Sequence, residues 1–316
     1  MEISIIGAGR TRNGIGEYIG KYFHKHGGRV TSVLGTTDKT SLQASLALRK
    51  YGIEAHPYID FNEMVKIEKP DAAVIASPSS THYEYLLKCI DSGLHIFCEK
   101  PFIWNDDMDP RKMVEEISGK AFEKKLTIAM NSQWPFSIDL YEAICGKIVI
   151  QKSNTFFIGM SPPVPGRDMI RESVPHALSL LYCLLGIGEI DDLNFETNGE
   201  REISIRFGYQ SETQACDVFI QLRFLETPPR PFSFGLNDRI VFRSLDLENY
   251  EIFFNYGGKK MKIIDPLELS VKNFMEAVEK GEEPFIGTLH ILHNMSLLKE
   301  IEDRYNEFRK RERWKS

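Results

Sequence analysis

Ile3-Ser4-Ile5-Ile6-Gly7-Ala8-Gly9 runs from an apolar tetrapeptide straight into a glycine turn, and a helical pattern over Gly16–His26 follows. Strand, glycine turn and helix in that order form a dinucleotide-binding context. The glycines let the backbone approach a pyrophosphate, and the helix N-terminus offers unpaired N–H groups and a positive dipole. A regular G-x-G-x-x-G would put its third glycine at position 12, where Arg12 stands. Gly14 and Gly16 remain. Gly16 fits better, because Phe23 then falls seven residues on, where the helix needs a core residue. The turn is therefore about four residues longer than the usual fingerprint. Arg10, Arg12 and Asn13 sit in this enlarged loop, where they can meet either a phosphate or solvent.

Outward from this turn, apolar runs at Val30–Leu34, Ala72–Ala76, His95–Cys98 and Thr127–Met130 alternate with helical patterns at Leu42–Tyr51, Tyr83–Ser92 and Arg111–Lys124. Continuous apolar strands between helices predict a parallel sheet covered on both faces. Beyond residue 130 the rhythm changes. Ile203, Ile205, Phe207 and Tyr209 alternate with other residues, as do Val218, Ile220, Leu222 and Phe224, and Tyr250, Ile252, Phe254 and Tyr256. Period two marks strands with one buried face. Helical patterns at His176–Leu185, Leu269–Glu279 and Thr288–Lys310 accompany them. The expected fold is α/β: an N-terminal Rossmann-type parallel sheet over residues 1–130, then a C-terminal α+β domain over 131–316 on a mainly antiparallel open sheet. The last helix is free to pack back on the first domain. Phe219 and Phe253 fall on the outer side of the alternation, which predicts a homodimer or homotetramer through this sheet.

Composition narrows the function. The 316 residues carry 39 Lys and Arg against 45 Asp and Glu, a net charge of −6, so no nucleic-acid partner is expected. The basic stretch Arg309–Lys315 reads as a solvated helix end, and so does the His24/His26 pair. No apolar run reaches the length of a membrane span, and no basic region precedes Ile3–Ile6, so neither a membrane segment nor a signal peptide is expected. The five cysteines are odd in number and widely spaced, without a C-x-x-C. This predicts no structural disulfide, no metal site and a cytoplasmic location.

The second strand should end at the residue that reads the adenosine ribose. An acid there favours NAD, and its absence with basic or hydroxyl groups nearby favours NADP. After Leu34 come Gly35, Thr36, Thr37, Asp38 and Lys39, with Asp38 placed to cap the next helix instead. NADP is the preferred cofactor on this reading, with NAD as the alternative.

Two further motifs follow. Ser77-Pro78-Ser79-Ser80-Thr81-His82 succeeds an apolar strand, and His95-Ile96-Phe97-Cys98-Glu99-Lys100-Pro101 closes the next one. Together they resemble the Gfo/Idh/MocA oxidoreductases, in which a "TP…TH" loop is followed by a helix and a strand ending in "EKP". The resemblance extends to the Asn131 strand end, the mixed second domain and the Asp265-Pro266 helix region. It implies that Gly7, Gly9, Ser77, Pro78, His82, Glu99, Lys100 and Asn131 line the cofactor. Lys100 would lie between nicotinamide and substrate, after a cis Lys–Pro bond. A lysine at a strand's C-terminal end faces the ligand crevice, and its ammonium can stabilise an oxygen as charge develops there.

Arg171-Glu172-Ser173-Val174-Pro175-His176 leads into an apolar helix ending Leu184-Leu185-Gly186. The family usually reads Asp-xxx-His here; this chain has Glu172 in place of the Asp. By resemblance His176 is the general acid/base, suited by an imidazole that titrates near neutrality. Glu172 holds a substrate hydroxyl or orients His176. Pro175 suits a first helical turn, which puts Glu172 just outside the helix. Trp134 can stack on a sugar face or pack at the domain junction. Many members carry a basic residue in the Asn131–Pro135 stretch; Gln133 and Trp134 replace it, which argues against an acidic sugar. Arg167 and Arg171 are the candidates for an anionic substrate group, with pairing to a neighbouring acid as the alternative for Arg167.

The function expected is an NAD(P)-dependent oxidoreductase acting on a hydroxyl or carbonyl carbon of a sugar, cyclitol or related small polar molecule. Two rivals share the fold. One is a reductase of an imine or conjugated double bond, which would need a wide apolar pocket. The other is a non-catalytic nucleotide-binding regulator, against which Lys100 and His176 argue.

Overall fold

The computed structural model describes residues 1–9 and 15–315. Two compact units emerge: Met1–Ser132 with Leu267–Leu292, and Gln133–Pro266 with His293–Ser316.

The first unit holds a parallel sheet of β1 (Glu2–Ile6), β2 (Arg29–Leu34), β3 (His56–Tyr58), β4 (Ala72–Ile75), β5 (His95–Glu99) and β6 (Ile128–Asn131), in the order β3-β2-β1-β4-β5-β6. The connections carry α1 (Ile15–Lys25), α2 (Asp38–Arg49), α3 (Phe61–Glu68), α4 (His82–Asp91) and α5 (Pro110–Glu123). This is the doubly wound dinucleotide order, with its switch point between β1 and β4, where the crevice outside the strand ends takes ligands. Local sequence sets the helix starts. Thr37 and Thr40 make a capping box for α2, Asp60 caps α3, and Asp109 with Pro110 opens α5.

In the second unit come α6 (Ile138–Cys145), β7 (Ser153–Met160), α7 (Asp168–Leu185), β8 (Gly188–Asn198), β9 (Glu202–Ser211), β10 (Ala215–Arg223), β11 (Phe232–Leu236), β12 (Arg239–Asp246), β13 (Glu251–Tyr256) and β14 (Lys259–Ile263). The strands form one sheet in the order β14-β13-β12-β11-β7-β10-β9-β8, antiparallel except for the β7/β10 pair. Asn237 and Asp238, both at positive φ, make the two-residue turn between β11 and β12. Tyr250 sits in the turn before β13 rather than in the strand, at φ 52°. On the inner face Phe156, Ile158, Ile205, Val218, Ile220 and Phe234 are buried, and α7, in which Val174, Leu178 and Leu181 are buried, packs against β10.

The chain then supplies α8 (Pro266–Lys280) and α9 (Thr288–Lys315). α8 belongs to the first unit, so a single division at residue 130 does not describe the chain. Leu267, Val271 and Phe274 join Ile3, Ile5, Phe23, Val33 and Phe97 in one core. Phe274 meets Phe23 edge-on at 6.0 Å and Phe97 at 5.4 Å. Glu268 on α8 also takes Lys25 and His26 (3.2 Å to the latter's Nε2), so the end of α1 is tied down rather than simply solvated. Among the described residues no helix is long and apolar enough to cross a membrane.

Candidate active site

The glycine turn sits at the switch point. Gly7 adopts φ +86°, and a Cβ there would stand 2.5 Å from both the N and Cα of Ser77. Only glycine lets the turn after β1 lie against the turn after β4. Gly16, inside α1, has the same kind of reason: a Cβ would come 2.9 Å from Ala8 Cα. That contact and the fully buried Phe23 support Gly16 as the third glycine. Gly9 differs, because among the described residues a Cβ would meet nothing nearer than Thr40 O at 4.0 Å. Arg10, Arg12, Asn13 and Gly14 lie outside the described residues.

At the end of β2, Thr36, Thr37, Asp38 and Lys39 are all exposed. Thr37 rather than Asp38 caps α2, and Asp38 is the first helical residue. No carboxylate therefore stands at the strand end itself.

The Ser77 and Lys100 loops are stapled by one imidazole. His82 is 1% exposed. Its Nε2 lies 2.8 Å from Ser77 O, and its Nδ1 lies 3.0 Å from Pro101 O and 3.2 Å from Phe102 O. Ser77 Oγ is 2.7 Å from Thr81 Oγ1, whose hydroxyl donates to Pro78 O. The imidazole lies between main-chain carbonyls of the two turns, and in its neutral form it donates to one of them, depending on the tautomer. Beside it, Glu99 is buried and accepts from the Asn131 side-chain amide, while Asn131 Oδ1 accepts from Ser270 Oγ at 3.0 Å. Ser270 on α8 carried no signal in the sequence. The Lys100–Pro101 bond is cis, as the family resemblance implies. Lys100 is half-buried and follows β5 on the edge that carries the Gly7 and Ser77 turns.

In the second unit α7 starts at Asp168, earlier than expected, and Pro175 lies inside it rather than in its first turn. Glu172 is consequently helical. It shares one face with His176 a turn later, and both are half-buried. Proline leaves Arg171 O without its intrahelical donor. Asn294 on α9 braces the same turn, donating to Pro175 O (2.8 Å) and Ser179 Oγ (2.9 Å).

Arg167 and Arg171, expected to meet an anionic substrate, both donate through Nε to Oε1 of Glu302 on α9. Glu302 is buried, and burial pushes its carboxyl up while the two guanidiniums pull it down. Trp134 is 4% exposed and lies flat on Phe232, with ring centroids 3.5 Å apart, so that face of the indole is occupied by protein. Among the described residues no group of His, Cys, Asp or Glu is arranged to hold a metal ion.

A doubly wound sheet with a glycine turn at its switch point, followed by an α+β unit, defines a dinucleotide-binding two-domain protein. A family model described as "Oxidoreductase family, NAD-binding Rossmann fold" matches residues 1–126, and this first domain belongs to the Gfo/Idh/MocA oxidoreductases. D-glucoside 3-dehydrogenase of Escherichia coli strain K12 is 31% identical over 101 residues, 32% of this chain and 27% of that protein. An inositol 2-dehydrogenase of Klebsiella pneumoniae is 32% identical over 107 residues, 32% of this chain and 28% of the relative. The chain thus matches little more than a quarter of the length of these curated relatives. In fold the likeness is nearly complete. UDP-N-acetylglucosamine 3-dehydrogenase from Acidithiobacillus ferrooxidans superposes over 96% of both chains with a TM-score of 0.70 at 16% identity. An Agrobacterium radiobacter oxidoreductase solved with NAD+, L-tartaric acid and magnesium gives 0.68 at 13% identity, again over 96% of each chain.

Proposed function

We propose that this chain is an NAD(P)-dependent dehydrogenase or reductase acting on a hydroxyl or carbonyl carbon of a sugar, cyclitol or related small polar substrate. The observation that carries the reading is the placement of Lys100. It leaves β5 on the ligand edge of the sheet, with Glu99 fixed by Asn131 and the His82 ring against the Pro101 carbonyl. The dinucleotide fits the first unit, because among the described residues Gly9 leaves open space beside a Gly7 turn that no Cβ could share with Ser77. Gly7, Gly9, Ser77 and Pro78 would hold it. The nicotinamide, when bound, supplies the hydride chemistry.

Lys100 then donates a hydrogen bond to the substrate oxygen and stabilises charge that develops on it. In oxidation His176 takes the hydroxyl proton, and in reduction it returns one. Glu172, on the same helical face, orients the imidazole or accepts from a substrate hydroxyl. The exposed Thr36 and Lys39, with no acid at the end of β2, support NADP over NAD. Phe219 and Phe253 on the outer sheet face support a dimer or tetramer through that face.

Calorimetric titration with NADPH and NADH, followed by nicotinamide absorbance with a panel of sugars and cyclitols, tests this reading. NADPH should bind several-fold more tightly, and at least one polyol should turn over. Failure of both nucleotides to bind would contradict the reading.

A further inference from the structure

Two arginines of the second unit stand out from the rest. Arg243, on β12, is half-buried on the inner face of the sheet. Its register partners are Phe232 on β11 and Phe254 on β13, both buried. Its guanidinium lies 5.5 Å from the Trp134 ring centroid and 5.9 Å from that of Phe232. Nη2 donates to the main-chain carbonyl of Arg230 at 2.6 Å. Arg230, just before β11, is also half-buried, and donates to Leu225 O at 3.1 Å and Glu226 O at 2.8 Å.

Every one of these acceptors is a neutral carbonyl. Among the described residues neither guanidinium has a carboxylate within ion-pair distance, in contrast to Arg167 and Arg171, which share Glu302. Asp265 and Tyr250 lie near enough to favour the Arg243 charge, yet neither bonds to it. Burial pulls both guanidiniums down from the usual arginine range, and Arg230 pushes Arg243 further the same way. Partly desolvated cations without a counter-charge are costly, and an oxyanion relieves that cost through charge-assisted, bidentate hydrogen bonds. The local sequence at Gln133–Trp134 has no cation, but the sheet register delivers one beside the Trp134 ring from more than a hundred residues away.

We propose that Arg243 and Arg230 form an anion subsite of the second domain, which takes a carboxylate or phosphate group of the substrate. Taken with the dehydrogenase reading, on which the word substrate rests, this makes the substrate an acidic sugar derivative, either a uronate or a sugar phosphate. Arg243 supplies the fork beside the stacked Trp134 and Phe232 rings, and Arg230 supplies the second charge.

The test is calorimetric binding to the full chain, with inorganic phosphate, glucuronate and neutral glucose as probes. It needs no turnover, so it stands apart from a failure of nucleotide binding or of catalysis. At least one anion should bind more tightly than glucose. Arg243→Met and Arg230→Met should each weaken that anion by about tenfold to a hundredfold, the range for hydrogen bonds to a charged group. Glucose binding should not change. Arg230→Met leaves the Trp134–Phe232 stack untouched, so it stands in if Arg243→Met unfolds, and Arg243→Lys should fall between wild type and Met. Tighter binding of phosphate than of glucuronate points to a sugar phosphate, and the reverse to a uronate. If neither anion binds at millimolar concentration, or if both Met variants bind the anion as wild type does, the proposal is overturned.

Discussion

Nε of Arg171 lies 2.6 Å from Oε1 of Glu302, and the same oxygen accepts from Nε of Arg167. One buried carboxylate on α9 therefore anchors the N-terminal end of α7, the helix that carries Glu172 and His176. Removing its charge takes away the carboxylate that both guanidiniums share. Fully buried pairs lose about 3–5 kcal/mol when one member is removed, so Glu302→Gln should cost roughly 2–3 kcal/mol given the solvent that still reaches Arg167. Urea unfolding measures this. A loss below about 0.5 kcal/mol, the size of an ordinary surface pair, would mean the cluster does not hold α7.

Gly7 and Gly9 should respond differently to alanine. At Gly7 the positive φ alone costs about 1–2 kcal/mol, and the new Cβ must push the Ser77 turn away. Gly7→Ala should lower the melting temperature by several degrees and weaken NADPH at least tenfold. Among the described residues Gly9→Ala meets only Thr40 O, so its melting temperature should stay at the wild-type value while NADPH still weakens. Equal melting losses in both variants would contradict the assignment of open space above Gly9.

Much of the first domain was legible because parallel strands buried on both faces read as unbroken apolar runs, as at Ala72–Ile75 and His95–Cys98. β3 escaped notice because His56–Tyr58 is three residues long and contains a proline. In the second domain β7 was hidden by Phe156 and Phe157, adjacent aromatics on opposite faces that break the apolar-polar alternation. Pro175 misled the start of α7: its missing N–H suits a first turn, and nothing local announced that Asn294 would brace an interior one. Glu302 looked like any acid on a charged helix, since its two arginines are more than 130 residues away. The glycine turn and the Glu99-Lys100-Pro101 motif were readable because each is contiguous. The approach of Arg243 to Trp134 was not, because a sheet register created it.

Stability should fall as the pH drops from neutrality to about 5. Burial lowers the His293 pKa below its unfolded value, and burial does the same for His95 against the pull of Asp71. With the folded pKa depressed, the unfolded chain binds more protons in acid. Stability is full above the unfolded histidine value of about 6.5 and declines as the pH falls below it. His293 Nε2 lies 2.9 Å from Tyr209 Oη, whose hydroxyl also reaches Gly186 O at 2.6 Å. His293→Asn retains a polar partner for Tyr209 without titrating. Thermal melts between pH 5 and 7.5 should show a shallower slope for this variant, and an unchanged slope would count against a role for His293.

On the outer sheet face, Arg206 lies 3.8 Å over the Phe219 ring and Lys260 lies 4.1 Å over Phe253. Phe157 stands 5.7 Å from Phe219, and Phe242 is 57% exposed. If this face joins subunits, light scattering at micromolar concentration should report a dimer or tetramer, and Phe219→Glu should shift it to monomer. A monomeric wild type would argue that the cations alone suffice to cover the rings.

The most direct measurement of the account is the turnover of Lys100→Met with the true substrate, beside that of His176→Asn. Methionine keeps the apolar stem and removes the charge; asparagine stays polar but cannot take a proton near neutrality. Each should lower kcat by about 10²–10⁴-fold, the usual contribution of such assistance, with little change in NADPH affinity. The double variant should lose less than the product of the two, because both residues serve one proton transfer. Undiminished turnover in Lys100→Met would contradict the hydride-transfer mechanism proposed for this chain.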